Sequence, residues 1–210
     1  ARQSRLRLEA EIIRDSALAA SGLLNRTIGG PSVRPPQPAG ISELTYANSA
    51  KWVESAGPEK YKRGLYIWFQ RTSPYPMLTT FDSPDGNLCA VRRERSNTPL
   101  QALTMLNDFV YVEAAQALAK RVLAEANDEF SCVPIMHALR LALGRDTTAS
   151  EVQRLAKLLD DFHTLAKADP AGAAKLVGKH VPKGVPVAEA AAWVALCRTI
   201  LNLDEFITRE

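Results

Sequence analysis

Between Arg63 and Asn107 the chain concentrates the residue types that bind or transform polar ligands. Arg71, Asp82, Asp85, Arg92, Arg93, Arg95, Asn97, Gln101 and Asn107 alternate there with Tyr66, Trp68, Tyr75 and Phe81. Arginine forks hold phosphate, sulfate or carboxylate groups through paired hydrogen bonds, and aromatic faces stack on flat ligand surfaces. The candidate ligand-binding residues are therefore Trp68, Arg71, Asp82, Arg92, Arg93, Asn97, Gln101 and Asn107. The bland alternative is internal pairing: Asp82 with an arginine, Asn97 capping a helix, Trp68 in the core. Irregular backbone needs such side-chain partners for its own polar groups.

Asp82 and Asp85 are near enough in sequence to suggest paired carboxylates for acid–base work, or the start of a calcium site. Acid–base catalysis requires two carboxyls held across a substrate, and calcium requires several more oxygens. Asp82-Ser83-Pro84-Asp85-Gly86 reads equally as a turn. Asp82 directly follows the aromatic Phe81, which makes it the expected buried partner of the two. Arg92-Arg93-Glu94-Arg95 is too short for a nucleic-acid stripe, and the formal net charge is only +3.

No complete catalytic motif is present, so no catalytic residue is designated. The three cysteines, Cys89, Cys132 and Cys197, form no CxxC, no CxxCH haem-attachment site and no zinc pattern. Cys197 reads as a small core residue, and the cysteine count leaves one disulfide, Cys89 to Cys132, open. His137, His163 and His180 share no ligand spacing, so no metal site is expected. Asn25-Arg26-Thr27 matches a glycosylation triplet.

The elements that must position these residues are mainly helical. Leu6, Ala10, Ile13, Ala17 and Ala20 share one face of a helix predicted over Arg5–Ser21, with Arg7, Glu11 and Arg14 on another face at ion-pair spacing. Gly22 is its expected stop. Residues 26–97 form a long polar loop region, because Gly29-Gly30-Pro31 and Pro35-Pro36-Gln37-Pro38 cannot continue a helix. It contains a short turn around Ser42–Tyr46 and a strand-like segment near 65–70 without partner strands.

Residues 98–206 read as a helical core. Thr98-Pro99 starts a helix with Leu100, Leu103 and Leu106 inward, and Asp108 caps the next. A third helix over Ser131–Leu143 closes at Gly144, and Thr148 to Glu151 is a capping box that opens a fourth. Val152, Leu155, Ala156, Leu159 and Phe162 form its apolar stripe. Asp169–Pro186 reads as a variable excursion. The last helix, Val187–Leu203, is apolar almost all round and so should be central. No apolar run approaches the roughly 20 residues of a membrane span. The chain begins at Ala1 already in helical rhythm, as a segment cut from a longer polypeptide would.

Several segments taken in order, Arg7 to Asp15, Gly29 to Val33, Tyr66 to Arg71, Thr80 to Pro84, Arg92-Arg93, Asn97 to Asp108, Leu141 to Arg145 and Leu201 to Phe206, carry a family likeness. The chain resembles the planctomycete cytochrome-associated C-terminal domain, the domain of unknown function 1553. The resemblance implies the C-terminal domain of a large exported bacterial protein, extracytoplasmic, with a cytochrome-c-like domain upstream. Any haem would belong to that upstream domain, and no activity is carried over. Lys51–Lys62 and Lys167–Pro186 match the family pattern least.

Three readings follow. The first is a binding or docking module, partnered by upstream domains of the same polypeptide or by a carbohydrate or anionic ligand. The second is an enzyme domain acting on glycans or their oxidation products, with Asp82 as acid–base group and Arg92 and Arg93 holding an anion. The third is a scaffold whose polar centre is an internal ion-pair network. Dense polar and aromatic loops without catalytic signals favour the module. An open pocket walled by Trp68, Tyr75 or Tyr66 would separate binder or enzyme from scaffold.

Overall fold

The computed structural model describes residues 5–41, 51–87, 89–125 and 132–209, Cys132 by its backbone alone. The expected turn at Ser42–Tyr46 lies outside them. So does the Cys132 side chain, while Cys89 is a free, exposed thiol.

The protein is mainly α-helical. Its helices are α1 (Ala10–Ala20), α2 (Pro76–Thr80), α3 (Pro99–Asn107), α4 (Phe109–Glu125), α5 (Cys132–Leu143), α6 (Ala149–Ala168), α7 (Pro170–Val177) and α8 (Val187–Leu201). Two-residue strands β1 (Leu6–Arg7) and β2 (Thr208–Arg209) pair antiparallel, Leu6 opposite Arg209. Short 3-10 turns occupy Gly57–Tyr61, Gly64–Tyr66 and Asp204–Ile207. No described helix is long and apolar enough to cross a membrane.

α8 is central, as its uniform apolarity requires. It packs against α4, α6 and α7, and Leu196, Cys197, Ile200 and Leu201 are buried. α1 also packs against α4. The local signals hold at the helix ends. Thr98 with Gln101 and Thr148 with Glu151 form complete capping boxes, and the Asp108 side chain accepts the Val110 N–H at 3.0 Å. Gly22 and Gly144 take positive φ where α1 and α5 stop.

Four expectations need correction. The first helix begins at Ala10, not Arg5. Glu9 is extended and gives no side-chain cap, and Leu6–Arg7 spend their backbone groups on β2 instead. Arg14 does not lie on a solvated ion-pairing face. It sits four residues after Ala10 and three before Ala17, within the apolar stripe, and is fully buried.

Leu100 and Leu103 point outward, while Gln101 and Met105 occupy the inward positions of α3. The region expected to be an excursion after Asp169 contains α7, capped by the Asp169 side chain on the Gly172 N–H. Its Ala173 and Val177 form a second small core with Ala190 and Ala191.

The strand-like segment near 65–70 forms only a single parallel bridge, Ile67 to Val33. Val33 N–H donates to Tyr66 O, and Trp68 N–H donates to Val33 O, each at 2.8 Å. The long loop thus gains a local partner without building a sheet.

Candidate functional site

α2 ends at Thr80 with Phe81 as its cap, and the next residue, Asp82, adopts φ 62°, a left-handed conformation that aspartate tolerates better than most side chains. This turn aims the carboxylate at the approach to α3. Asp82 Oδ2 accepts the Ser96 N–H at 2.7 Å, and the Ser96 hydroxyl donates to the same carboxylate at 2.8 Å.

Gln101, fully buried on the first turn of α3, completes the node. Its amide N–H group donates to Thr80 O and Ser96 Oγ, each at 3.0 Å, and to Asp82 Oδ2 at 3.3 Å. Its carbonyl oxygen accepts the Thr98 N–H, the second half of the capping box. One glutamine therefore couples a helix start, a turn and a carboxylate.

A charged layer adjoins this node. Arg93 donates to Glu11 at 2.7 Å and to Glu9 at 3.3 Å, and Arg95 lies 3.6 Å from Glu9. The hydrogen bond that Arg93 donates to Glu11 stabilises its charged form and raises its pKa. Arg7 faces Asp82 and Asp204. Burial lowers its pKa against the pull of those two carboxylates, and its Nε has no hydrogen-bond partner among the described residues.

The space enclosed by Arg7, Asp82, Arg93 and their neighbours is about 10 Å³. That is room for one water at most. Glu9, Glu11 and Asp82 face Arg7, Arg93 and Arg95, and Glu94 also borders the space. The arginines are thus met by carboxylates of the same chain, and Asp82 is already engaged by Ser96 and Gln101.

Of the eight candidates, the fold brings together Asp82, Arg93 and Gln101. The other five lie apart from the cluster. Trp68 is 42% exposed rather than in the core, with the Arg34 guanidinium stacked 4.7 Å from its ring centroid. Arg71, Arg92 and Asn97 are exposed, and Thr98 rather than Asn97 caps α3. Asn107 bonds back to Leu103 O in its own helix. Asp85 holds Asn87 in a turn through two hydrogen bonds, which lower its pKa. Among the described residues no three metal-ligating side chains converge.

Sequence reasoning missed Ser96 and Glu9, whose types carry no local signal, and it placed Glu11 on an ion-pairing face of the first helix without its distant partner Arg93. It also missed a second node at Glu113. This carboxylate receives the Tyr61 hydroxyl at 2.6 Å, Lys60 at 3.2 Å, the Lys179 ammonium, and His180 Nε2 at 3.4 Å. Burial acts to raise the Glu113 pKa, but the bonds from His180, Lys179, Tyr61 and Lys60 outweigh it. The carboxyl is held well below the usual range.

The helices from α1 to α5, with the loop region stapled by Asp82 and Gln101, have a sequence counterpart. The profile of a family described as protein of unknown function, DUF1553 (PSD1), matches residues 1–159. The chain belongs to the DUF1553 family. No curated protein and no solved structure matches the chain. The DUF1553 match spans α1 to α5 and reaches into α6, so the whole Asp82 cluster lies inside it. α7 and the central α8 lie beyond it.

Proposed function

We propose that this DUF1553 chain is a docking domain that seats an upstream domain of its parent polypeptide on the outward face of α3. The observation that carries this reading is the exposure of Leu100 and Leu103, 61% and 55%, one turn apart on that face. Phe109, 58% exposed, follows at the start of α4. Beside Leu100 runs a groove of about 510 Å³ that also includes Ile41, Pro74 and Pro76. Apolar side chains concentrated in this way mark contact surfaces.

The Asp82 cluster supports a docking role over an enzyme role, because its acid–base candidate is held by Ser96 and Gln101 and the space beside it is only about 10 Å³. The family resemblance supports the wider setting: an exported, cytochrome-c-associated planctomycete protein, extracytoplasmic, with any haem in a preceding domain. The capping box explains why the leucines face out. It draws Gln101 inward, and Met105 follows one turn later, leaving positions 100 and 103 on the far side.

The test is to produce the chain and the polypeptide preceding it separately and to measure their association by calorimetry. Leu100→Ser with Leu103→Ser should weaken it about 100-fold, since each buried leucine contributes roughly 1.5–3 kcal/mol. The melting temperature of the isolated chain should stay unchanged. A wild-type pair that does not associate, or an association indifferent to the double substitution, would overturn the reading.

A further inference from the structure

α4 carries Ala117, Lys120, Arg121 and Ala124 on one strip of its surface, at helical spacing. This strip lines a groove of about 600 Å³, bordered by the end of α1 and including Arg26, Glu125 and His180. The volume is that of a small-ligand site. It exists because positions 117 and 124 carry only methyl groups beside the two cations.

The charges in the groove do not cancel. Arg121 is spoken for: its Nε donates to Glu125 at 2.7 Å and its Nη1 to Ala20 O at 3.0 Å. Glu125 is also held by His137 at 2.8 Å. Arg26 and Lys120 are exposed, and among the described residues neither has a carboxylate partner. His180 is anchored from behind by Glu113, which is itself outnumbered by Lys60 and Lys179.

The end of α1 would ordinarily repel an anion through its unpaired carbonyls. Here they are occupied: Leu18 O accepts the N–H groups of Leu23 and Leu24, Ala19 O accepts that of Gly22, and Ala20 O takes Arg121. The space of about 520 Å³ beside Arg5, Arg145 and Arg209 carries three arginines. There, however, Arg145 is clamped by Glu151 and Glu205, and Arg5 pairs with Asp204, so three carboxylates offset the three arginines. Unbalanced positive charge and space coincide in the α1–α4 groove.

We propose that this groove is a binding site for a ligand bearing clustered phosphate or sulfate groups, held by Arg26 and Lys120 above the alanine strip. The arginine fork takes two oxygens of one group, and the lysine acts as a point charge on the next. Ala117 and Ala124 leave room for the body of the ligand.

Calorimetric titration of the chain with pyrophosphate, and separately with a disulfated disaccharide, tests this. Saturable one-to-one binding of either is expected. Pyrophosphate alone would assign phosphate chemistry, and the disaccharide alone sulfate. Lys120→Glu and Arg26→Glu should each weaken binding at least about tenfold, with Lys120→Arg retaining it. Ala124→Trp, which fills the groove and leaves every charge in place, should abolish it. These positions are exposed at the surface, apart from the core, so melting curves should match the wild type. Saturable binding of neither probe overturns the proposal, as does binding that Lys120→Glu and Ala124→Trp both leave unchanged.

Discussion

The Asp82 carboxylate accepts the backbone N–H of Ser96 at 2.7 Å, fastening the turn after α2 to the chain two residues before the cap of α3. Asp82 achieves this from a left-handed backbone that most residues enter only at a cost. Both properties bear on its substitution.

Asp82→Ala should destabilise the protein by about 2–5 kcal/mol. An alanine at positive φ costs about 1–2 kcal/mol, and a part-buried N–H left unpaired adds about 1–3. Asp82→Asn, which tolerates the backbone and keeps an acceptor, should lose about half as much. Asp85→Ala, at a solvent-exposed turn, should leave the unfolding midpoint essentially in place. Urea denaturation of the three variants checks the order. Equal midpoints for Asp82→Ala and Asp85→Ala would refute it.

Arg14 is fully buried and donates to Lys62 O and Lys60 O, each at 2.7 Å, pinning the 3-10 region onto α1. Burial lowers its pKa, with Tyr75 and Asp15 opposing. Arg14→Lys should cost about 3 kcal/mol, because one ammonium cannot replace a planar fork that reaches two carbonyls. Retention of wild-type stability by Arg14→Lys would show that the two carbonyl bonds are dispensable.

Gly64 lies against α1: a Cβ there would sit 2.8 Å from the Glu11 Cβ and 2.9 Å from its Cα. Its N–H donates to Asp15 Oδ1 at 2.7 Å. Gly64→Ala should therefore cost about 1–3 kcal/mol through overpacking against backbone. Thermal melts would show it, and a neutral result would mean that the 3-10 turn can move away from α1 freely.

Glu113 sets a pH dependence. Its folded pKa lies well below the unfolded value of about 4.3, so its contribution is fully present above that value. The contribution is lost as pH falls from about 5 toward the folded pKa. Asp15 and Asp108 act in the opposite sense. Burial raises both, so protonation relieves a cost that they impose at neutral pH. Glu113→Gln should thus lower stability at pH 7 and lose less than the wild type between pH 5 and pH 3. Parallel acid limbs for the two proteins would contradict the assignment.

Much of the helical architecture is legible locally. The starts of α3, α4 and α6 follow from Thr98, Asp108 and Thr148, whose side-chain oxygens satisfy N–H groups within three residues. Gly22 and Gly144 mark ends because they adopt positive φ. The central place of α8 follows from apolar residues on every face. The polar concentration around Asp82, Arg93 and Gln101 was visible as composition, but its chemistry was not.

The tertiary structure alone decided partners and direction. Arg93 reaches Glu11 across 82 residues, and Arg14 reaches Lys62 across 48, distances over which no spacing rule operates. Leu100 and Gln101 exchanged their expected places because the buried node offered the glutamine several hydrogen bonds, which outweighed the burial of a leucine. β1 displaced the first turn of a predicted helix because β2, at the other end of the chain, supplied its backbone partners. Sequence determines what each residue can satisfy nearby. Where a buried polar group must find a distant partner, only the packed chain selects it, because the cost of leaving that group unpaired is settled in three dimensions.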